Sequence, residues 1–455
     1  MKSKIYLLFL LVALGACKKS TSTSSGGTTT SSASVTALNC SAASFSALAT
    51  VNVAYSGTAT VGYTGGNAVA YTAGTAISST GVTGLTATLV AGTLASGAGN
   101  LSYTITGTPT TTGTATFPVT FGGQTCSFAL TVSAATTSTC TGTQIEQLVC
   151  AANTFLGSLS TSQQASTVLA YSQTNAIKWS NLPCGSSCRV GIQFSTLSAA
   201  QLAYAKLVVA KAMGTQSGTG YSQVMQILAA DDVLGTQQSG YSSGTYFISF
   251  LGTPSTTGTW QLQFGGHHLA VNLTFKAGVV AGASPFFIGV EPKTWTSSGT
   301  TYAPLAANQS AMLAILSSMS TTELATAKLS ATFSDVLLGP GSDGKFPASK
   351  LGIKASTLTT AQKTLILNAI KLWVQNVDDA SATSLLSTYT TELDNTYISY
   401  SGNTTLANNA DYIRIDGPSV WIEFVCQSGV VYKNEIHYHS VYRDHTRDYG
   451  GSFSF

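Results

Sequence analysis

The chain of 455 residues is poor in charged side chains. Lysine and arginine together number 20, aspartate and glutamate number 17, and the charged fraction is 8%, against about a quarter in ordinary soluble domains. Nucleic-acid binding needs clustered basic residues, so this composition excludes a nucleic-acid-binding protein. The hydrophobic fraction of 44% excludes disorder that is driven by charge. The length predicts two or three domains.

The N-terminus is typical of an exported protein. Lys2 and Lys4 precede an apolar run over residues 5–14, and this run is shorter than the roughly 20 residues that span a bilayer as a helix. Small residues then precede Cys17, and this segment resembles the lipobox of bacterial lipoproteins. The resemblance implies that residues 1–16 are a signal peptide and that Cys17 is lipidated and anchors the chain in the lipid bilayer. An ordinary signal peptide with an unmodified cysteine is the alternative.

Residues 17–35 and 36–135 differ in pattern. The first segment is rich in Ser, Thr and Gly, which predicts a flexible tether. The second has short alternating runs between glycine-rich turns, which predicts an all-β sandwich, and its residues 107–119 resemble the immunoglobulin-like domains of bacterial surface proteins. It contains no charged residue and no histidine, so we expect no hydrolytic or metal site there.

Two roles are open for this immunoglobulin-like sandwich. The favoured role is that of a plain spacer. The alternative is a carbohydrate-binding module, whose aromatic rings would contact a glycan through Tyr55, Tyr63, Tyr71 and Tyr103.

Residues 140–455 carry nearly all the charges and predict an α+β domain. Four segments open with Ser or Thr followed three residues later by Gln or Glu, which is the capping box of a helix start. These pairs are Ser160/Gln163, Ser198/Gln201, Ser320/Glu323 and Thr359/Gln362. Strand-like runs then occur twice, over residues 245–290 and 412–442. Helices combined with antiparallel strands in this way predict an α+β fold.

Seven cysteines remain besides Cys17, which is an odd number. Sequence proximity and an oxidising compartment favour three disulfides, namely Cys40–Cys126, Cys140–Cys150 and Cys184–Cys188. Cys426 is then left free, and we expect it to be buried on a strand. A redox or metal-binding role for the short Cys184–Cys188 loop is the alternative to a structural staple.

All five histidines fall in two short segments, residues 267–268 and residues 437–445. On an extended strand His437 and His439 project to the same face, because side chains alternate with a period of two. Two imidazoles on one face are a platform for a borderline metal ion. Glu423 shares that face if the hairpin pairs odd positions with odd ones, whereas a one-residue slip moves it to the opposite face.

His267 and His268 are adjacent and follow two glycines. Neighbouring strand residues point to opposite faces, so one of the two joins His437 and His439 unless a bulge or turn redirects the other. Our hypothesis is that these four histidines bind a divalent transition metal, Zn, Cu or Fe. The alternative is a set of hydrogen-bonded structural histidines.

The metal hypothesis predicts a metal-dependent hydrolase or oxidase, in which the ion lowers the pKa of bound water or carries redox chemistry. Glu423 would act as a ligand, as a partner of a ligand or as a general base, and Asp444 lies close by in sequence. Arg443, Asp448 and Tyr449 either anchor the C-terminus or bind a substrate carboxylate or sugar. The rival function is a non-catalytic cell-envelope protein that binds glycans or peptides.

Residues 339–345 have the glycine and lysine spacing of a phosphate-binding loop. Phe346 stands where Ser or Thr should bind magnesium, and Pro347 follows it. We therefore predict a turn in this segment and expect no nucleotide partner.

Several motifs together resemble an uncharacterised family of secreted bacterial proteins, the domain of unknown function 3500. The matching motifs are Trp179-Ser180-Asn181-Leu182-Pro183, Gly252-Thr253-Pro254, Trp260 with Gly266-His267-His268, Glu423, His437-Tyr438-His439, Arg443-Asp444 and Asp448-Tyr449-Gly450. The resemblance implies one site formed by His267, His268, His437, His439, Arg443, Asp444, Asp448 and Tyr449. His445 stands where the family pattern has proline, so it is not counted as a ligand. The family has no established activity.

The N-terminal segments resemble lipoproteins of the Bacteroidota through the lipobox, Lys18-Lys19 and the immunoglobulin-like spacer. This resemblance implies a protein that is exported and lipid-anchored to the outer membrane. An acidic export signal is missing after Cys17, so the periplasmic and the surface-exposed faces of that membrane both stay open.

Overall fold

The structure is a computed structural model, and it describes residues 32–46, 49–51, 54–133, 140–297 and 299–455. The predicted signal peptide and Cys17 lie outside these residues. Within the described ranges, no helix combines the length and the apolarity that are needed to cross a membrane.

The N-terminal region is built from strands that alternate buried and exposed side chains. They are β1 (Ala37–Phe45), β2 (Ala49–Thr50), β3 (Tyr55–Asn67), β4 (Ala70–Tyr71), β5 (Ile77–Ser78), β6 (Thr80–Gly81), β7 (Leu85–Leu89), β8 (Gly92–Thr93), β9 (Ser96–Gly107), β10 (Gly113–Phe121) and β11 (Gln124–Ser133). One sheet has the order β1-β3-β9-β7-β5, a second has the order β2-β11-β10-β6, and β4 pairs with β8. Pairing is antiparallel except between β2 and β11. The period-two pattern buries Phe117, Val119 and Phe128 in one apolar core.

The Cys40–Cys126 disulfide joins the two larger sheets of this region, because Cys40 lies on β1 and Cys126 on β11. The predicted pairing is confirmed. Tyr55, Tyr63 and Tyr103 are buried in the apolar core, so three of the four tyrosines considered for glycan binding do not form an exposed platform.

The C-terminal region mixes helices and strands. Its first half contains α1 (Gln144–Ser158), α2 (Thr161–Thr167), β12 (Val168–Leu169), α3 (Gln173–Ala176), β13 (Ile192–Gln193), α4 (Ala199–Ala212), α5 (Gly220–Gln237), β14 (Phe247–Leu251), β15 (Thr259–Gly266), β16 (Leu269–Lys276), β17 (Val279–Gly282) and β18 (Phe286–Val290). A hairpin of β19 (Trp295–Ser297) and β20 (Thr300–Tyr302) follows. The second half contains α6 (Ala306–Ser317), α7 (Thr321–Ala327), β21 (Ile353–Lys354), α8 (Thr360–Val374), α9 (Asp379–Glu392), β22 (Tyr397–Ser401), β23 (Tyr412–Asp416), β24 (Val420–Ser428) and β25 (Ile436–Asp444).

Twelve of these strands form one sheet, with the long helices packed on one face and the short helix α3 on the other. The strand order is β12-β14-β15-β16-β18-β25-β24-β23-β22-β21, with β13 also paired to β14 and β17 to β16. The pairing is antiparallel apart from β12 with β14. Alternate strand residues such as Ile288 and Ile422 share one hydrophobic core with helix residues such as Phe155 and Trp373.

The two halves repeat one topology, which the sequence analysis did not predict. In the first half β13 pairs with β14, with Ile192 opposite Ile248, and in the second β21 pairs with β22, with Ile353 opposite Ile398. The runs β14-β15-β16-β18 and β22-β23-β24-β25 then follow the same order, and the β18–β25 pair joins the halves. The sheet therefore has a pseudo-twofold axis between β18 and β25.

The strand registers locate this axis. Val271 on β16 lies opposite Phe286, and Ile422 on β24 lies opposite Tyr442. Phe286 and Tyr442 in turn lie opposite each other on β18 and β25. The axis therefore passes between Phe286 and Tyr442.

The helix starts repeat as well. All four predicted capping boxes are confirmed, at the starts of α2, α4, α7 and α8. In each half the glutamine of the second box donates to the side chain of the first, Gln201 to Gln163 and Gln362 to Glu323. A fifth box begins α1, where the carboxylate of Glu146 accepts the amide of its cap residue. Local capping thus also fixes how neighbouring helices meet.

The remaining cysteines also follow the prediction. Cys140–Cys150 and Cys184–Cys188 are disulfides, and Cys426 is the one free cysteine among those described. Cys426 is fully buried on β24, and burial raises the pKa of its thiol to about 12. A thiol of this kind is inert.

Candidate functional site

The sheet face turned away from the long helices is buried but polar. Gln263, Asn272 and Glu423 lie on this face and are at most 6% exposed. The short helix α3 and a loop cover it, since Ala176 of α3 accepts a hydrogen bond from Gln263 and the amide of the loop residue Leu338 donates to Glu423. Buried polar groups normally have hydrogen-bond partners inside the protein. A polar group on this face that has no such partner is therefore a candidate for binding a ligand.

His267 and His268 form the two-residue turn between β15 and β16. His268 has a φ of 61°, in the left-handed region that residues other than glycine rarely adopt. Its amide donates to the carbonyl of Asn181 at 3.1 Å, and its carbonyl accepts the amide of Gly289 at 2.7 Å. The turn therefore fixes both rings at one end of the sheet, and a fixed, strained backbone of this kind is a common property of functional residues.

His437 and His439 lie on β25 and face the polar side of the sheet. Their Nε2 atoms are 3.2 Å apart, and two nitrogens bound tetrahedrally to one ion at about 2.0–2.1 Å would be separated by roughly 3.3 Å. Nδ1 of His439 lies 2.9 Å from Oδ1 of Asp335. Because the carboxylate accepts the Nδ1 proton, Nε2 of His439 keeps its lone pair for an ion.

His268 completes a group of three imidazoles. Its ring centroid lies 5.4 Å from that of His437 and 5.0 Å from that of His439. One nitrogen of each ring lies within 4.8 Å of the others, so the three residues could hold a metal ion. All three are at most 5% exposed, and Nδ1 of His268 has no hydrogen-bond partner among the residues that the structure describes. We call His268, His437 and His439 the imidazole group.

The imidazole group is electrostatically prepared for a cation. Burial and the neighbouring imidazoles hold the pKa of His268 well below its usual range. Burial, followed by the neighbouring imidazoles, lowers the pKa of His437 to about 3. Burial acts to raise the pKa of Asp335, but the hydrogen bond and charge of His439 outweigh it, and the pKa lies below its usual value. The lowered pKa values keep the rings of His268 and His437 neutral at neutral pH, which is the state in which imidazole binds metals.

His267 turns toward the helices and contacts a buried carboxylate. Its Nδ1 lies 2.8 Å from Oδ1 of Asp231 on α5, whose Oδ2 accepts the hydroxyl of Tyr246 at 2.9 Å. Burial raises the pKa of Asp231 against the lowering effect of these two hydrogen bonds. The rings of His267 and His268 are 3.6 Å apart, so this second group adjoins the imidazole group. Asp231, His267 and His268 also meet the distance condition for a metal ion.

The sequence comparisons show the family. Residues 141–451 match the family described as "Protein of unknown function (DUF3500)". The chain belongs to this family. The matched range of this DUF3500 protein contains both groups of potential ligands. Neither the curated proteins nor the solved structures gave a significant match.

Glu423 of this DUF3500 protein lies on the same face as the two strand histidines, since it lies opposite Val441 while Gln427 lies opposite His437. The odd-with-odd register is confirmed. Its carboxylate accepts four hydrogen bonds, donated by the amides of Leu337 and Leu338, the Tyr412 hydroxyl and the Trp421 indole. Burial raises the pKa of Glu423 against these hydrogen bonds. With its donors internal, Glu423 holds the loop that carries Asp335 and belongs to neither ligand group.

Arg443, Asp448 and Tyr449 belong to a separate buried network. Nη1 of Arg443 lies 2.9 Å from Asp343 and 3.0 Å from Asp448. The Tyr449 hydroxyl donates to Asp343 at 2.6 Å and accepts the Trp179 indole at 2.7 Å. Asp343 lies in the segment that has the spacing of a phosphate loop, and here that segment covers the sheet. The contacts are those of a network that anchors the C-terminal segment.

Asp444 and His445 lie apart from the imidazole group. The Asp444 carboxylate accepts the amides of Thr446 and Arg447 and the hydroxyl of Tyr389. His445 stacks on Phe346 with ring centroids 4.0 Å apart and lies 3.3 Å from Asp416. The eight residues that the family resemblance groups together therefore fall into two sets. One set is the four histidines at positions 267, 268, 437 and 439. The other set, which we call the tail network, is Arg443, Asp444, Asp448 and Tyr449.

Sequence reasoning missed Asp231 and Asp335. Asp231 had a usable signal, because it interrupts the buried apolar stripe of α5 formed by Val224, Ile227 and Leu234. A carboxylate on such a stripe needs a partner. Asp335 lies in a loop 104 residues before His439, and nothing in its local sequence marks it.

Proposed function

We propose that the C-terminal region of this protein binds a divalent transition metal, Zn, Cu or Fe, through His268, His437 and His439. The observation that carries the proposal is the convergence of three buried imidazoles, two of which have Nε2 atoms 3.2 Å apart. Asp335 supports it, because a carboxylate on the far nitrogen of a ligating histidine is the usual outer partner in metal sites.

A set of three imidazole ligands is typical of a catalytic metal site and not of a structural site with four protein ligands. Structural zinc sites use four protein ligands, whereas catalytic sites use three and keep a position for water or substrate. Asp335 contacts His439 and has a side chain that is 46% exposed, so the imidazole group lies just beneath the surface there. We propose a metal-dependent hydrolase or oxidase that acts on a small molecule. When bound, the metal would supply an activated water or a redox centre.

The non-catalytic glycan-binding alternative has less support. It depends on exposed aromatic rings, and three of the four tyrosines that were considered for it are buried. Structural histidines would also be expected to have hydrogen-bond partners for their ring nitrogens. In the described part of the chain, Nδ1 of His268 has no such partner.

Metal analysis tests the proposal. Purified protein stripped with a chelator, then dialysed against Zn²⁺ or Cu²⁺, should retain at least one equivalent of metal by elemental analysis. The H437Q/H439Q variant should lose at least one equivalent. The H445Q variant is the matched control, because His445 lies close in sequence but outside both ligand groups. Equal metal contents in wild type and H437Q/H439Q, or no uptake by either, would overturn the proposal.

We also propose that the chain is exported and lipid-anchored to the outer membrane through Cys17, with the N-terminal region as an immunoglobulin-like spacer ahead of an α+β domain. Three disulfides fit an oxidising compartment, and Cys40–Cys126 ties the two sheets of the spacer together. The test is expression of wild type and the C17A variant in a bacterial host. Wild type should fractionate with membranes and incorporate radiolabelled palmitate, and C17A should do neither. Palmitate labelling of C17A would contradict the anchor.

A further inference from the structure

We propose that Asp231, His267 and His268 form a second cation site, and that the His268 imidazole bridges it to the first. This inference rests on the proposed metal function and extends it from one ion to two. An imidazole has two ring nitrogens, and His268 is the one residue common to both ligand groups. The ligand class is again a divalent transition metal, because the donors are imidazole and carboxylate.

The geometry of the second group matches a coordination sphere. Oδ1 of Asp231 and Nδ1 of His267 are 2.8 Å apart, close to the roughly 2.9 Å that separates two ligands at right angles on one ion with bonds of about 2.0–2.2 Å. One potential ligand atom from each of Asp231, His267 and His268 lies within 4.8 Å of the other two. Binding an ion there would replace the Asp231–His267 hydrogen bond with two metal bonds and release the ring proton to solvent.

The charge of Asp231 also points to a cation. Its side chain is 1% exposed, and its hydrogen-bond partners in the described structure are His267 and Tyr246. Neither is a lysine or arginine. The nearby Arg189 instead donates to the carbonyls of Ser180 and Leu182. A buried carboxylate that no lysine or arginine contacts is costly to ionise, and a bound metal ion would neutralise it.

The bridging role accounts for the unusual state of His268. Its backbone is fixed in the left-handed region, and its Nδ1 has no partner although the residue is 3% exposed. Its ring lies between that of His267, with centroids 3.6 Å apart, and those of the two strand histidines, with centroids 5.0 Å and 5.4 Å apart. A ring with one nitrogen on each ion would satisfy both nitrogens. Binding the second ion requires loss of the remaining ring proton, which passes to solvent.

Metal stoichiometry tests the second site. Metal-free full-length protein dialysed against Zn²⁺ should bind two equivalents, and the D231N variant should bind one. The D232N variant is the control, because Asp232 is the next residue of α5 and is exposed. If D231N does not fold by circular dichroism, H267Q serves in its place. One equivalent in wild type, or two in both D231N and H267Q, would overturn the second site.

Copper spectroscopy tests the bridge. Two Cu²⁺ ions joined by an imidazolate couple magnetically, so wild type should show an electron paramagnetic resonance intensity well below that of two isolated ions. D231N should give the full intensity of one ion. Two uncoupled ions in wild type would contradict the bridge. Failure of the first site gives a different result, because H437Q/H439Q would then bind as much metal as wild type.

Discussion

The two halves of the C-terminal region share one scaffold but carry different groups at matching positions. The turn between β15 and β16 holds His267 and His268, whereas the matching turn between β23 and β24 is formed by residues 417–419. In the second half Ser419 is satisfied, because its amide and hydroxyl both donate to the carboxylate of Glu392. In the first half Nδ1 of His268 has no partner.

This difference separates the residues that the fold requires from the residues that are available for binding a ligand. A fold that forms once with a small polar turn and once with two histidines does not require the histidines for its architecture. The same reasoning applies to β18 and β25, where Phe287 opposite Ala270 matches Arg443 opposite Trp421. Arg443 differs from the histidines in one respect, since its guanidinium has internal carboxylate partners. The halves therefore predict which substitutions disturb the fold and which disturb metal binding.

The largest effect is expected for R443M in the tail network. Removing the buried guanidinium leaves Asp343 and Asp448 without their cation, and breaking a buried ion pair in this way costs about 3–5 kcal/mol. Urea unfolding should show this loss with the slope unchanged. K363M is the control, because Lys363 pairs with the exposed Asp394 and should cost less than about 1 kcal/mol. Equal effects of the two substitutions would contradict a structural role for the tail network.

A matched pair of glycines tests the repeat itself. Gly191 and Gly352 have φ values of 103° and 108°, and an added Cβ would lie 2.3 Å and 2.2 Å from the carbonyl oxygens of Ile248 and Ile398. G191A and G352A should each destabilise the protein by about 2–4 kcal/mol. G157A is the control, because Gly157 lies in α1 and a Cβ added there would have no neighbouring atom within 4 Å. A large effect in one half alone would show that the halves are not equivalent.

The imidazole group predicts an acid-sensitive metal-free protein. An unfolded histidine takes up a proton near pH 6.5, but folded His437 does so only near pH 3. The unfolded state therefore binds more protons between these values, and stability falls as the pH is lowered through that window, by about 1.4 kcal/mol per pH unit for this group. Urea unfolding of chelator-treated protein at several pH values measures this slope. H437Q should flatten it, and an unchanged slope in H437Q would contradict the burial of a neutral ring.

The smallest effects are expected at the repeated capping boxes. Ser160 and Ser320 occupy matching helix starts and each accepts an amide three residues on. S160A and S320A should each cost about 1 kcal/mol, with metal content unchanged. Thermal unfolding measures both. A cost that differs by much more than a factor of two would show that the two starts are not equivalent.

Local signals allowed several features to be predicted from the sequence. The capping boxes depend on residues close in sequence, and all four predictions are confirmed. Of the two strand registers that stayed open for Glu423, the structure has the odd-with-odd one. The repeat had a signal that was missed, since residues 191–197 and 352–358 both read Gly-Ile-x-x-Ser-Thr-Leu. Its helices and turns differ in length, which hides the period.

The composition of the site was harder to predict. His268 meets His437 and His439 because Gly289 brings β18 between the turn and β25, and strand order is a long-range property. Two of the four partners of Glu423 are the amides of Leu337 and Leu338, which belong to a loop that no residue pattern marked. Asp335 reaches His439 through the same loop, so the outer partner of the imidazole group depends on tertiary packing alone.

X-ray absorption spectroscopy of the metal-loaded protein tests the central claim most directly. The account predicts a shell that contains nitrogen scatterers at about 2.0–2.1 Å with the multiple-scattering pattern of imidazoles, and fewer imidazoles per bound ion in H437Q/H439Q, in which His267 and His268 remain. A shell of oxygen atoms alone, or a sulfur scatterer near about 2.3 Å, would contradict the imidazole group as the metal site.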